Sequence, residues 1–196
     1  MNQDTKSVVF LQGPNVVLRP IMRDDIPDLL HWINDPKVNR YISSVMPIME
    51  VDEEEWFEKL PKRKPKDIVL GIVVEGKLIG NMGLHDIDSI ARTATTGALI
   101  GESQYWGRGF GTEAKMILLN YAFNTLNLRK ICSSVIAFNE RSRRYSEKCG
   151  YTLEGIRKQQ FYKEGQYWDE IMLSVFKDSW TPLWSEFLKQ NGMIQQ

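Results

Sequence analysis

Tyr105-Trp106-Gly107-Arg108-Gly109-Phe110-Gly111-Thr112-Glu113-Ala114 sets three glycines at alternate positions, directly before a segment with helical patterning. Alternating glycines let the backbone turn tightly and let a ligand approach the main chain. The helix start that follows leaves several N–H groups without internal partners and carries a partial positive charge. The combination predicts a socket for a phosphate or pyrophosphate, with backbone donors from Arg108 through Gly109, Phe110 and Gly111 to Thr112. A tight turn whose glycines only permit close packing is the competing reading.

Two phosphate loops are tested against the stretch. A P-loop ends in Gly-Lys-Ser/Thr, whereas Gly111 is followed by Thr112 with no lysine. A dinucleotide fingerprint needs Gly-x-Gly-x-x-Gly and an acidic residue after the next strand. Here the spacing is Gly-x-Gly-x-Gly, and the next strand candidate, 131–138, carries Ser133 and Ser134 but no carboxylate. Both observations argue against NAD.

The stretch resembles the acyl-CoA site of the GCN5-related N-acetyltransferase (GNAT) superfamily, whose phosphate loop reads Arg/Gln-x-x-Gly-x-Gly/Ala and opens a long helix. Gly109 and Gly111 fall on its two small positions, while Trp106 holds the Arg/Gln slot. The run is similar to the branch related to ribosomal-protein alanine N-acetyltransferases. Leu18-Arg19-Pro20 with Asp24-Asp25, and later Trp32-Ile33-Asn34-Asp35-Pro36, resemble that branch's opening. Asn139-Glu140-Arg141-Ser142 and Glu147-Lys148-Cys149-Gly150-Tyr151 resemble the family's second cofactor helix. Order and spacing agree over residues 16–176.

Composition is compatible with that resemblance. At 196 residues, with 42% apolar and 26% charged content, the chain suits one compact unit with a real core. We expect a single domain over 1–196, with its core in 16–176 and an amphipathic tail in 177–190. Basic and acidic residues balance at 25 each, so no global footprint for nucleic acid or an anionic membrane exists. No apolar run reaches transmembrane length and the start is polar, which gives a cytoplasmic expectation. Cys132 and Cys149 stand far in sequence from His31 and His85, so no metal-site pattern arises and no metal is expected.

Periodicity predicts strands at 16–18, 68–74, 77–84, 93–100, 130–138, 151–161 and 167–176. It predicts helices after Asp24-Asp25, after Asp52-Glu53, over 110–127, from Asn139 to Gly150 and over 180–190. This is an α/β order. A strand, glycine loop, helix and strand make a right-handed crossover with parallel strands. The resemblance implies a GNAT-like mixed sheet, mostly antiparallel, with helices on both faces and one splayed parallel pair holding acetyl-CoA.

Acetyl transfer to an amine requires a held cofactor, a base for the amine and a proton for the leaving thiolate. Asn139, Ser142, Ser146 and Cys149, spaced by three, four and three, share one helix face. The resemblance places Asn139 and Ser142 along the pantetheine arm; Arg108, solvated on the plain reading, would add its charge to the backbone donors if it lay beside a pyrophosphate. Of Arg141, Arg143 and Arg144, it leaves one to reach the 3′-phosphate. It also implies a proton-donating tyrosine seven residues after Asn139, where Ser146 stands as the catalytic candidate, a weak acid expected to donate a hydrogen bond to the sulfur; Tyr145, one residue earlier, reads as core. Glu113 reads as a cap or packing residue, since a carboxylate facing phosphates would repel them. The branch's strand-four glutamate is replaced by Thr95, leaving His85 and Asp86, then Asp88, Asp169 and Glu170, as bases.

The expected function is acetyl-CoA-dependent N-acetylation, with a protein N-terminal α-amine such as that of a ribosomal protein as acceptor. Alternatives are a small amine (polyamine, amino acid derivative or aminoglycoside) or a non-catalytic acyl-CoA-binding module. The acidic cluster over 50–55 would favour a polyamine if it faced the cleft. No membrane or direct nucleic-acid partner is expected, and the Trp180–Trp184 tail leaves a homodimer open.

Overall fold

A computed structural model describes residues 8–193; residues 1–7 of the polar start, and residues 194–196, lie outside the described residues. The strands are β1 (Leu11–Gln12), β2 (Val16–Pro20), β3 (Ile68–Val74), β4 (Lys77–Asp88), β5 (Thr93–Ile100), β6 (Lys130–Ile136), β7 (Thr152–Lys163) and β8 (Gln166–Phe176). They form one sheet in the order β1-β2-β3-β4-β5-β6-β8-β7, antiparallel throughout except between β5 and β6. Position in the sheet follows from sequence: β3 is apolar along most of its length and sits inside, whereas β7 is mostly exposed and forms an edge.

The helices are α1 (Ile26–Asn34), α2 (Pro36–Asn39), α3 (Glu50–Lys59), α4 (Phe110–Asn120), α5 (Glu140–Lys148) and α6 (Lys177–Gln190). The main core lies between α4, α6 and one sheet face, with Met82, Leu84, Ala94, Leu118, Phe123, Ile131 and Leu173 in contact. A smaller cluster, including Leu29 and Trp32 of α1, covers the other face. Buried Arg19 aims both guanidinium arms at Asp25, each at 2.7 Å, and so fixes the entry to α1. This accounts for the Leu-Arg-Pro and Asp-Asp motifs. In α6, Trp180 and Trp184 stack at 5.3 Å and bury against the chain's own core, with Trp180 against Phe123.

Several boundaries differ from the sequence expectation. β1 and α2 are too short to show a period. The long helix is regular only to Asn120 and widens over Tyr121–Thr125. β4 runs on to Asp88 through an irregularity after His85, and β6 stops at Ile136. Among the described residues no helix is long and apolar enough to cross a membrane.

Candidate active site

β5 and β6 stay in register for only three pairs, Thr93 with Lys130, Ala94 with Ile131 and Thr95 with Cys132, and then part. Two hydroxyls pin the apex: Thr96 Oγ1 donates to the Cys132 carbonyl at 3.2 Å and Ser133 Oγ to the Thr96 carbonyl at 3.4 Å. β4 and β8 hold the outer edges of the two strands. The facing edges, over residues 97–100 and 134–136, are therefore left with main-chain groups for a ligand to satisfy. The resulting cleft has a volume of about 740 Å³.

The glycine loop closes its wide end. Gly109 precedes α4 at φ +90°, in the left-handed region that a side chain disfavours, and offers no side-chain acceptor to the helix start. The N–H groups of Phe110, Gly111 and Thr112 thus lack helical partners. Glu113 points backward: its carboxylate accepts from the main chain of Asn15 and Val16 at 2.6 and 2.7 Å and from Asn15 Nδ2 at 3.0 Å. It anchors α4 to the start of β2 and leaves the loop positive. Gly107, Gly109, Gly111 and Thr112 line the cleft, whereas the side chains of Arg108 and Phe110 do not. Arg108 instead lies over the rings of Tyr105 and Phe110.

α5 forms the next wall. Buried Asn139 caps it by accepting from the Ser142 N–H at 3.1 Å, and both residues line the cleft. Asn139 Nδ2 makes no hydrogen bond among the described residues and is free to donate to a ligand. Ser146 differs from the expectation: it is wholly buried, outside the cleft lining, and accepts from Lys115 Nζ at 3.2 Å. Tyr145 takes the cleft position instead. The helix turns Arg141, Tyr145 and Lys148, spaced by four and three, toward the cleft, while Ser146 and Cys149 pack on α4. Burial holds the Tyr145 phenol well above its ordinary pKa, so it stays protonated.

The two bases favoured from sequence lie elsewhere. His85 packs behind Gly97, whose Cβ would stand 3.3 Å from His85 Nε2. Burial lowers its pKa, against the opposing charge of Asp67. Asp86 sits at φ +51° with its N–H donating to Asp67 Oδ1 at 3.0 Å. Neither lines the cleft, because β4 carries them past the apex, beside the closed end of β5. Asp169 accepts from the Gln159 N–H at 2.9 Å and holds the β7 bend, as a loop-orienting residue would. Glu170 is the one carboxylate among the described residues that lines the cleft; it is buried and paired with Arg157 at 2.9 Å.

The segment 41–43 also lines the cleft. Lys163 fastens it, donating to the Ser44 carbonyl at 2.8 Å. None of the acidic residues over 50–55 reaches the cleft. Sequence reading missed Lys115, 1% exposed on α4 beneath Tyr145, because a lysine beside apolar positions reads as surface. Among the described residues no group of three or more His, Cys, Asp or Glu could hold a metal ion.

The arrangement fits a narrow ligand with amide groups at one end and phosphates at the other. Free strand edges and Asn139 suit the amides, and the glycine loop suits the phosphates. Comparisons agree with this geometry. The acetyltransferase (GNAT) domain family model matches residues 15–152. The chain is 30% identical over 169 residues to a spermidine N(1)-acetyltransferase of Vibrio cholerae, covering 84% of this chain and 95% of that one. It is 32% identical over 113 residues to YdaF of Bacillus subtilis, provisionally named a ribosomal N-acetyltransferase, covering 58% of this chain and 61% of that protein. A crystal structure of spermidine N-acetyltransferase from Vibrio cholerae with CoA and spermine superposes with a TM-score of 0.79 at 24% identity, covering 86% and 99% of the two chains.

Proposed function

The chain belongs to the GNAT acetyltransferase family and is an N-acetyltransferase; on that premise we propose that it uses acetyl-CoA to acetylate the α-amine of a protein or peptide N-terminus, ribosomal proteins included. The observation that carries the acceptor class is that Glu170, the single carboxylate lining the cleft among the described residues, is already balanced by Arg157. An α-amine has an ordinary pKa of about 8 and loses its proton readily near neutrality. One ion-paired carboxylate suffices to hold it and take that proton. A polyamine carries several amines with pKa values near that of lysine, about 10. It would need counter-charges, and the acidic cluster of α3 does not line the cleft. Similarity to spermidine acetyltransferases keeps a small amine as the second reading.

Acetyl-CoA, when bound, supplies the acyl group as an activated thioester. The residues of this chain do the rest. The N–H groups of Phe110, Gly111 and Thr112 face its phosphates, and Asn139 Nδ2 its amide arm. Glu170 draws the acceptor amine in and takes up its proton. The Tyr145 hydroxyl gives a proton to the departing sulfur and recovers one from solvent. A phenol at 145 on the cleft wall, where 146 carries only a buried serine, supports turnover over binding alone.

Two substitutions test these roles. Tyr145→Phe is expected to lower kcat about 100-fold and leave the acceptor KM nearly unchanged; an unaltered kcat would exclude proton donation by Tyr145. Glu170→Gln is expected to lower kcat/KM for an N-terminal peptide about 100-fold without changing the affinity for acetyl-CoA. Steady-state kinetics with free and N-terminally blocked peptides checks it. Full activity of the Gln variant, or equal turnover of the blocked peptide, would rule out Glu170 acting on an α-amine.

A further inference from the structure

Arg141 is a cation without a counter-charge at the mouth of the glycine loop. Its guanidinium lies 3.8 Å from the centre of the Trp106 ring and 4.8 Å from that of Tyr41. Trp106 is itself fixed, its indole N–H donating to the Ile100 carbonyl at 2.7 Å. All three residues line the cleft. The neighbouring arginines of α5 are both paired, Arg143 with Glu147 and Arg144 with Glu140. Arg141 has no carboxylate partner and no hydrogen bond among the described residues.

Its position is costly for a cation with no anion nearby. Arg141 stands in the first turn of α5, the positive end of the helix dipole. The stacking rings remove water from its faces, and burial lowers its pKa. The rings also hold the guanidinium plane while leaving its N–H edge free, the geometry suited to forked recognition of phosphate. Trp106 directly precedes Gly107, and Arg141 lines the same cleft as Gly107, Gly109, Gly111 and Thr112. The loop brings an aromatic platform to this point, and α5 brings the charge.

We propose that Arg141, held on Trp106, is the side-chain ligand of the cofactor's diphosphate and completes the phosphate site built by the glycine loop. This rests on the acetyl-CoA reading above. Calorimetric titration of the full chain separates the two claims, using CoA, dephospho-CoA (which lacks the 3′-phosphate) and pantetheine (which lacks the diphosphate). Arg141→Ala is expected to weaken CoA and dephospho-CoA equally, by roughly 20-fold, and to leave pantetheine unchanged. Arg141→Lys restores part of the loss, since a point charge cannot fork or stack as well. In a chain already carrying Trp106→Leu, the Arg141→Ala change should cost much less.

Unchanged affinity in Arg141→Ala, with normal CoA binding by the unaltered chain, would overturn the assignment alone. A loss confined to CoA would move the contact to the 3′-phosphate and also overturn it. A loss extending to pantetheine would mean that the arginine only shapes the cleft. Failure of the unaltered chain to bind CoA would remove the cofactor reading itself, and this assignment with it.

Discussion

Gly111→Leu is expected to weaken acetyl-CoA binding about 100-fold while the chain stays folded. A side chain at 111 has room within the protein: its Cβ would meet only Ile100 Cγ1 and Tyr145 Cδ2, each at 4.0 Å. Both neighbours line the cleft, so the added atoms enter the ligand's space. Gly111 needs no unusual backbone angle, unlike Gly109, and leucine in a helix gains up to about 1 kcal/mol over glycine. The stability argument and the binding argument therefore have opposite signs. Blocking the channel beside three backbone donors should cost on the order of 3 kcal/mol of binding, about 100-fold in Kd. Thermal melting and calorimetry on the same sample check both halves. A variant that binds acetyl-CoA normally would return the glycine to a packing role.

Lys115→Met is expected to stabilise the fold near neutral pH by about 2 kcal/mol and to lose that advantage by about pH 10. Lys115 is buried with no carboxylate beside it. Its ammonium faces the rings of Tyr145 at 4.2 Å and Tyr151 at 4.6 Å and donates to Ser146. The other titratable group facing it is the Cys149 thiol, which burial pushes up to about 12 and keeps neutral. Desolvation lowers the lysine from its ordinary 10.5 to about 8. That difference corresponds to roughly 3 kcal/mol, of which the two ring faces return on the order of 1 kcal/mol.

The pH dependence follows from proton counting. Between about 8 and 10.5 the folded chain binds fewer protons at this site than the unfolded chain. Stability of the unaltered chain therefore rises with pH across that window, and the full penalty applies below it. Methionine fills a similar volume without the charge, so its advantage is largest below pH 8 and fades as lysine becomes neutral in both states. Urea denaturation at pH 7 and pH 10 measures it. A variant less stable than the parent at pH 7 would show that the ring contacts and the Ser146 bond outweigh desolvation.

Legibility in the sequence tracked the range of the forces involved. The glycine loop and the Asn139 cap are local devices, set by backbone angles and unpaired N–H groups a few residues apart, and they stand where the residues suggested. The parallel pair followed from crossover handedness. Which strand positions face the cleft depended on where β5 and β6 part, a tertiary event, and this displaced His85 and Asp86 and brought in Glu170. Helix phase set Tyr145, and not Ser146, on the cleft wall. The serine stripe splits: Asn139 and Ser142 line the cleft, Ser146 and Cys149 pack on α4, and the adjoining stripe of Arg141, Tyr145 and Lys148 also meets the cleft. Lys115 carried no sequence signal, because an unpaired buried lysine is recognisable only once its surroundings are known.

The most direct test of the account is a competition assay. The chain is incubated with acetyl-CoA and equal concentrations of spermidine and a peptide with a free N-terminal alanine, and the products are followed by mass spectrometry. Preferential acetylation of the peptide, confined to its α-amine, is the predicted result. Acetylated spermidine with an untouched peptide would contradict the account and make the cleft that of a small-amine acetyltransferase.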